Sequence, residues 1–331
     1  MTTKPHVFPA LLLALLLPIC TLQQASASPA SDAIHAVYAR LDAAYDRRDV
    51  PGILALYAPD FVRYEASSTQ NLAQTRQRLV DGLAETQTAK AITRIKSLTV
   101  KGDQVEATVV QCVDVTFPKP LPDLLPPYFK VEVSQETWRR TASGWLLTKT
   151  SDAPRRRELR LLGERDQALR WKMIAGSKDP ALPAQMRAAD AADRAQLKRI
   201  IRQSGWPGFD QVGTDGEQAA FLITQHSDED KPFQRLCLPL LQAAVRGGQA
   251  KPDELALLTD RILRGEGKPQ VYGTQFMTDT QGILVPQPME DPTHVDQRRA
   301  SVGLPPLAEC AKQMQRIYHP GPKPAPSVPG K

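Results

Sequence analysis

Hydrophobic positions in the first half of the chain follow two different spacings. Ile34, Val37 and Leu41 recur three to four residues apart, which is typical of an amphipathic helix. After residue 91 apolar and polar residues alternate instead, which predicts antiparallel strands joined by tight turns. This half therefore predicts an α+β domain at residues 31–152. Its predicted helices are 31–47, a segment after Asp49, and 71–86, and its predicted strands are 61–65, 92–100, 104–117, 131–140 and 145–150.

Helical spacing returns after residue 156 and continues to residue 318. One interruption, residues 271–277 with 283–285, alternates in the manner of a small β-hairpin. The spacing therefore predicts a second, mainly α-helical domain at 156–318. The proline-rich segment 319–331 has too little apolar surface to fold and is predicted to be a disordered tail.

The N-terminal segment has the three parts of a secretory signal peptide. Lys4 precedes a short apolar core, and the small residues Ala25, Ser26 and Ala27 follow it. The apolar core is shorter than the roughly 20 residues that span a bilayer. We expect cleavage near Ala27 and an exported, periplasmic product with no membrane span.

Two phrases of the first domain, "AYDRRDVPGILALYAPDFV" and "WRRTASGWLLTKT", resemble the nuclear transport factor 2-like (SnoaL-like) family. The resemblance implies a cone of curved antiparallel sheet around the helices, whose mouth can hold a small ligand. It also implies that a homodimer through the sheet is plausible. Candidate pocket residues are Tyr64, Asp114 and Trp138, and no catalytic set is complete, so we expect no catalysis in this domain.

Charge and cysteine content narrow the function further. The formal charge is +6, and most of the basic residues are dispersed along the chain. The exception is the group of arginines at 155–157 with Arg160, which we interpret as a solvated linker or helix start. Nucleic-acid binding usually needs a concentrated basic face, so no nucleic-acid partner is expected. Three cysteines follow the leader, and Cys237 and Cys310 either form one bridge or remain buried free thiols.

Several phrases of the second domain, among them "IIRQSGWPGFDQVG", "QHSDEDKPFQ" and "GKPQVYGTQF", resemble an uncharacterised bacterial domain of unknown function. That resemblance implies no activity. The chain also lacks the familiar catalytic spacings of metalloproteases, serine hydrolases and phosphate-binding loops. A site must therefore be sought in individual residues.

The densest group of candidate residues is His226, Asp228 and Asp230. One interpretation is structural: a histidine at a helix end, then Ser227 and Asp230 as a capping box of the next helix. The other is a catalytic site, in which an imidazole and carboxylates on one turn hold a metal ion or act as acid and base. Asp260 would complete that site, with Arg261, Tyr272 and Gln275 binding the substrate.

The sequence therefore leaves two functions open. The first is an exported protein that binds a small ligand or contacts the envelope through the cone and the helical domain. The second is a hydrolase centred on His226, Asp228 and Asp230. The sequence leaves open which cofactor, if any, is used and whether a metal binds.

Overall fold

The structure is a computed structural model that describes residues 28–119, 128–281 and 283–318. The predicted signal peptide, residues 120–127 and the predicted disordered tail lie outside the described residues. Within those ranges, none of the helices combines the length and apolar character needed to cross a bilayer.

The first domain consists of three helices and a six-stranded sheet. The helices are α1 (Pro29–Asp46), α2 (Val50–Leu54) and α3 (Leu72–Ala84), and the strands are β1 (Tyr57–Tyr64), β2 (Thr69–Asn71), β3 (Thr88–Lys101), β4 (Gln104–Thr116), β5 (Tyr128–Thr141) and β6 (Gly144–Asp152). The strand order is β2-β1-β6-β5-β4-β3, and every pair is antiparallel except β1 with β6. The predicted helix–helix–strand–helix–meander order is present, with β2 as an additional short strand.

Local sequence signals set the helix starts in this domain. Ser28 and Asp49 accept hydrogen bonds from backbone N–H groups at the starts of α1 and α2. Asn71 and Gln74 form a reciprocal capping box at the start of α3. The buried face of α1 packs in the same core as the inner face of the sheet. Members of this core include Ile34, Val37, Leu41, Val105, Val109, Trp138 and Leu147.

The second domain is mainly helical, as predicted. Its helices are α4 (Pro154–Ile174), α5 (Leu182–Ser204), α6 (Phe209–Gln225), α7 (Lys231–Arg246), α8 (Pro252–Gly265), α9 (Val295–Ser301) and α10 (Leu307–Tyr318), and its strands are β7 (Phe276–Thr278) and β8 (Leu284–Pro286). The predicted hairpin is thus present but shorter than expected, because residues 271–275 form a loop. Cys237 and Cys310 are free thiols and do not form the bridge considered above.

The outer face of the sheet is covered by the second domain. Val110, Val131 and Val133 are buried in a cluster with Phe209, the first residue of α6. The ring of Phe129 meets Phe209 edge to face, with 5.5 Å between ring centroids. Both faces of β5 are consequently buried. A homodimer through the sheet stays a prediction, and it would have to form on the part that α6 leaves free.

Gly213 allows α6 to approach the sheet closely. Its φ of 72° is in the left-handed region, and it marks a kink within α6. A Cβ atom at this position would lie 2.6 Å from the carbonyl oxygen of Val131 on β5. Because only glycine both adopts this φ without strain and leaves that space open, the interdomain contact depends on this residue.

A buried arginine ties the two domains together. Arg156, in the first turn of α4, is 1% exposed. Its guanidinium lies 3.0 Å from an oxygen of Asp152 on β6, and it donates to both oxygens of Asp215 on α6 at 2.9 and 2.8 Å. Glu132 on β5 lies 3.7 Å away. The interpretation of this arginine cluster as a solvated helix start is therefore wrong for Arg156.

The ion pairs continue from Arg156 into the cone. Glu132 accepts from Arg63 at 2.5 Å, and Arg63 also donates to Glu65 at 3.1 Å. Arg78 on α3 donates to Glu65 at 2.7 Å. Burial alone would raise the pKa of Glu132, but Arg63, Lys130 and Arg156 hold that pKa well below its usual range. Glu132 is therefore held ionised, and the network runs from α3 to α6.

Replacing Arg156 by methionine should destabilise the protein. The side chain has a similar length but no charge, so Asp215 would lose its bidentate partner and the buried Asp152 would lose one of its two arginines. Breaking a buried ion pair from one side typically costs about 3–5 kcal/mol. Urea unfolding of Arg156→Met should show a loss of this size. Arg157→Met is the matched control, because Arg157 is exposed, and a similar loss in both variants would contradict the assignment.

Candidate functional site

His226 is paired with an aspartate from a distant helix. The residue caps the C-terminus of α6, and its Nδ1 lies 3.0 Å from Oδ1 of Asp166 on α4. The imidazole is largely buried, with 14% of its side chain exposed. The other ring nitrogen, Nε2, makes no hydrogen bond within the described parts of the chain and is not shut away from solvent. This arrangement fixes the ring and leaves one nitrogen available.

Asp166 is held as a buried carboxylate. Its exposure is 1%, and it contacts Arg170 at 3.0 Å and Gln167 at 2.8 Å in addition to His226. Burial alone would raise the pKa of Asp166, but His226, Arg170 and Gln167 lower it below its ordinary value. The spacing of four residues between Asp166 and Arg170 predicts an ion pair on the helix surface, but that prediction is wrong, since the aspartate is buried and serves a histidine.

Asp228 faces a different partner. Arg261 on α8 donates to both of its oxygens, at 2.9 and 2.5 Å, and Gln234 donates at 3.3 Å. Burial raises the pKa of Asp228, but the hydrogen bond and charge of Arg261 outweigh burial and lower it. Arg261 also lies 3.4 Å from Oε1 of Gln275. The structure thus joins three of the predicted site residues in one chain of contacts.

Asp230 is a helix cap. It is the N-cap residue of α7, where its side chain accepts from the backbone N–H of Phe233. The same carboxylate accepts from Lys198 on α5 at 2.5 Å. Ser227 instead donates to the carbonyl of Ile223, so the predicted capping box of Ser227 and Asp230 is wrong, although Asp230 does cap the helix.

The three residues of the His-x-Asp-x-Asp stretch therefore do not converge. His226 turns to α4, Asp228 to α8 and Asp230 to α5, because successive positions of a turn point in different directions. Among the described residues, no group of three or more His, Cys, Asp and Glu side chains is placed to hold a metal ion. A metal centre at this stretch is not supported by the geometry.

Asp260 organises the loop that follows α8. This fully buried carboxylate accepts from the backbone N–H groups of Val271, Tyr272 and Thr274, and from the Thr274 hydroxyl, at 2.7 to 3.1 Å. Such charge-assisted bonds are stronger than neutral ones. The geometry gives Asp260 the role of a loop anchor.

The loop is also closed from the other side. Arg299 on α9 is fully buried and donates to the carbonyls of Tyr272 and Pro305, at 2.7 and 2.6 Å. A Cβ on Gly273 would lie 2.7 Å from the sulfur of Met289. The close neighbour of this glycine is therefore the protein itself.

Gln275 is buried at the base of this loop. Its backbone N–H donates to Gln270 at 2.8 Å, and its side-chain NH₂ donates to Thr274 at 3.1 Å. Its side-chain oxygen faces Arg261. Gln275 and Arg261 therefore belong to one polar surface with Asp228, which follows His226 by two residues. A span of two residues is at most about 7 Å of backbone.

The candidate pocket residues of the cone do not meet. Tyr64 is 44% exposed at the end of β1, with the ammonium of Lys149 over its ring. Asp114 is exposed and shares its strand face with Val110 and Cys112, on the outer side of the sheet. Trp138 is fully buried in the core. The predicted pocket of these three residues is therefore wrong as a geometric set.

Sequence reasoning missed a polar group inside the cone. Tyr38 donates to Glu136 at 2.7 Å and accepts from the indole N–H of Trp138 at 2.9 Å. Burial raises the pKa of Glu136 even though Tyr38 and Arg63 act to lower it. Two surface depressions, of about 660 and 230 Å³, lie along α3 and between α1 and α2, and neither is lined by Glu136 or His226.

A second missed pair lies in the helical domain. Glu217 on α6 and Glu254 on α8 are 0% and 3% exposed, and each acts on the pKa of the other. The indole N–H of Trp206 donates to Glu217 at 2.9 Å, in addition to packing in the core as the sequence predicted. Burial and the neighbouring carboxyl raise the pKa of Glu217 well above its ordinary value, and burial raises that of Glu254 to about 7.

These features define a mixed α/β protein, in which a mostly antiparallel sheet with its helices packs on a helical C-terminal region that holds an Asp–His pair. A model of a family of unknown function (DUF6624) matches residues 154–320, which is half of the chain. The chain therefore belongs to this family, and the match coincides with the helical domain. A search of curated proteins found no match.

Solved structures match the N-terminal part. One is a conserved protein from Planctomyces limnophilus, with 14% identity, 36% of this chain and 91% of that chain covered, and a TM-score of 0.33. A putative dehydratase of the NTF2-like family from Streptomyces avermitilis is 15% identical, with 38% of this chain and 99% of that chain covered and a TM-score of 0.32. An NTF2-like protein with a cystatin-like fold from Novosphingobium aromaticivorans is 21% identical, with 37% of this chain and 79% of that chain covered and a TM-score of 0.30. The predicted resemblance is confirmed at the level of fold, and the activity in a neighbour's name belongs to that neighbour.

Proposed function

We propose that this is an exported two-domain hydrolase whose helical domain uses His226 as general base on a small polar substrate. The observation that carries the proposal is the 3.0 Å contact between His226 and the buried carboxylate of Asp166. A carboxylate that accepts from Nδ1–H fixes the tautomer in which Nε2 carries the lone pair. That is the form that a general base requires.

The chemistry follows from that tautomer. Nε2 takes a proton from a water molecule while the water oxygen bonds to the carbonyl carbon of an ester or amide. The imidazolium, stabilised by Asp166, then returns the proton to the leaving group as its bond to carbon breaks. No other residue has to change its protonation state.

Substrate positioning is assigned to the neighbouring polar surface. Arg261 is held in place by Asp228 and reaches Gln275, and 22% of its side chain is exposed. A planar guanidinium fixed in this way suits a carbonyl or carboxylate group of a substrate. Asp260 and Tyr272 support this surface through the loop, so the ligand is placed in the helical domain and not in the cone.

Exchanging His226 for glutamine should abolish hydrolysis. Removing a general base typically costs about 10²- to 10⁴-fold in rate. Turnover of p-nitrophenyl acetate, followed for wild type and His226→Gln, measures the loss. Asp166→Asn should retain part of the activity, because the histidine remains but its tautomer is no longer fixed.

His294 provides a matched control. It forms the same kind of contact, Nδ1 to Oδ2 of Asp291 at 2.7 Å, but both side chains are about half exposed. His294→Gln should hydrolyse the ester at the wild-type rate. Equal rates for wild type and His226→Gln would mean that the buried pair is structural only.

The mature protein should begin at Ser28. The three-part N-terminal segment supports export with cleavage after Ala27. Expression of the full chain in a bacterial host, osmotic release of the periplasm and N-terminal sequencing measure this. Ala25→Arg with Ala27→Arg should block cleavage, since the peptidase site needs small residues. Recovery of uncleaved wild type in the cytoplasm would contradict export.

Envelope contact is a second candidate function, favoured by the exposed end of α4. Trp171 and Met173 are 59% and 50% exposed, next to Lys172. An exposed tryptophan beside a lysine suits the interface of an anionic bilayer.

Substitution of Trp171 and Met173 by serine should remove any binding to the envelope. Co-sedimentation with vesicles of phosphatidylglycerol and phosphatidylethanolamine measures it. Ile92→Ser is the control, because Ile92 is similarly exposed on β3 of the other domain. Sedimentation that persists in the double variant, or none with wild type, rejects this candidate.

A further inference from the structure

The buried carboxyl pair of Glu217 and Glu254 has no role in the proposed chemistry. Each lies inside the core between α6 and α8, and the Oε2 atom of each is buried and meets no donor among the described residues. Trp206 supplies one indole N–H to Glu217. Two carboxylates in contact repel each other. When one of them binds a proton, its O–H can donate a hydrogen bond that the other accepts. A bound proton would give these buried oxygens the donor that the described residues do not supply.

The surroundings do not supply another way to neutralise the pair. The charged groups that act on it most strongly in the described chain are Lys251 and Asp253, at the start of α8. Their charges have opposite signs, and the pKa of Asp253 is itself raised by burial. The charged side chains that α4 and α5 bring to α6 and its end are already paired: Arg156 with Asp215, Asp166 with His226, and Lys198 with Asp230.

We propose that Glu217 and Glu254 form a proton-dependent latch between α6 and α8, which closes when protonated and loosens when its protons are lost. A carboxyl group that is neutral when folded and ionised when unfolded binds protons on folding. Its contribution to stability is complete below the pKa of the unfolded chain and is lost as the pH rises through the folded-state pKa. The latch therefore weakens as the pH rises past neutrality.

The latch lies on the two helices that carry the proposed site. Glu217 precedes His226 by nine residues on α6, about 13 Å along a helix axis. Glu254 precedes Arg261 by seven residues on α8, about 10 Å. Loosening the contact between these helices would move His226 relative to Arg261. This consequence rests on the proposed function, whereas the latch itself does not.

Unfolding by urea between pH 6 and pH 8 tests the latch without any substrate. While the folded state holds one more proton than the unfolded state, the folding equilibrium constant should fall about tenfold per pH unit. In Glu254→Gln the amide N–H takes the place of the proton. The folding equilibrium constant of this variant should therefore change by less than about threefold per pH unit. Glu85→Gln, an exposed control, should keep the wild-type slope.

A second measurement needs no variant of the pair. Because the Trp206 indole N–H donates to Glu217, its ¹⁵N–¹H resonance should shift with pH as the latch opens. Trp206→Phe assigns the peak, and the buried Trp145 is an internal standard in the other domain. Identical pH slopes in wild type and Glu254→Gln, together with a Trp206 resonance that does not move between pH 5 and pH 9, would overturn the proposal.

Failure of the latch and failure of the hydrolase are distinguishable. The latch is measured by unfolding and by an indole resonance, and the hydrolase by turnover in His226→Gln. Hydrogen exchange in α8, compared with exchange in α1, connects the two. In wild type, hydrogen exchange in α8 should accelerate with pH more than exchange in α1 does. If this extra acceleration is absent in Glu254→Gln, the result supports control of the site by the latch. If the extra acceleration is equal in wild type and Glu254→Gln, the latch does not control the site, and the proposed hydrolase activity is unaffected by this result.

Discussion

The arrangement of the two domains depends on one buried guanidinium. Arg156 starts α4 immediately after β6, and it binds a carboxylate from the sheet and another from α6 at the same time. Transferring an arginine from water into a core is costly unless its partners are close and well oriented. Because both domains supply these partners, neither can move away without leaving charges unpaired. The relative position of sheet and helices is therefore fixed by charge as well as by apolar contact.

Alternation along β5 shows how far sequence could predict this fold. The existence of the strand followed from its period of two, and so did the set of residues on each face. The direction of the faces did not, because an isolated sheet domain turns its apolar face inward. Here Val131 and Val133 face outward and are buried by α6, so Glu132 and Glu136 face the interior. When a strand is buried on both sides, neither face is solvent-exposed. The alternation of apolar and polar residues then no longer shows which face is turned to the interior of its own sheet.

The candidate site was predictable only where its residues are close in sequence. His226 was identified from a dense polar stretch, but its partner Asp166 lies sixty residues earlier and was assigned to a surface pair. The neighbours Asp228 and Asp230 were grouped with the histidine because they are adjacent in the chain. A turn between two helices sends adjacent side chains to different elements, whereas a contact between two helices joins distant ones. Linear spacing carries no information about the second case.

Helix α6 links all of these features in a single rigid element. Asp215 near its start meets the domain junction, Glu217 two residues further on meets α8, and His226 at its end meets α4. Each contact buries charge or a shared proton, so each resists displacement of the helix at a different point. A helix transmits axial displacement with little loss, since its backbone hydrogen bonds restrain every turn. A change at the carboxyl pair would therefore act on the same helix that ends at the imidazole and begins at the domain junction.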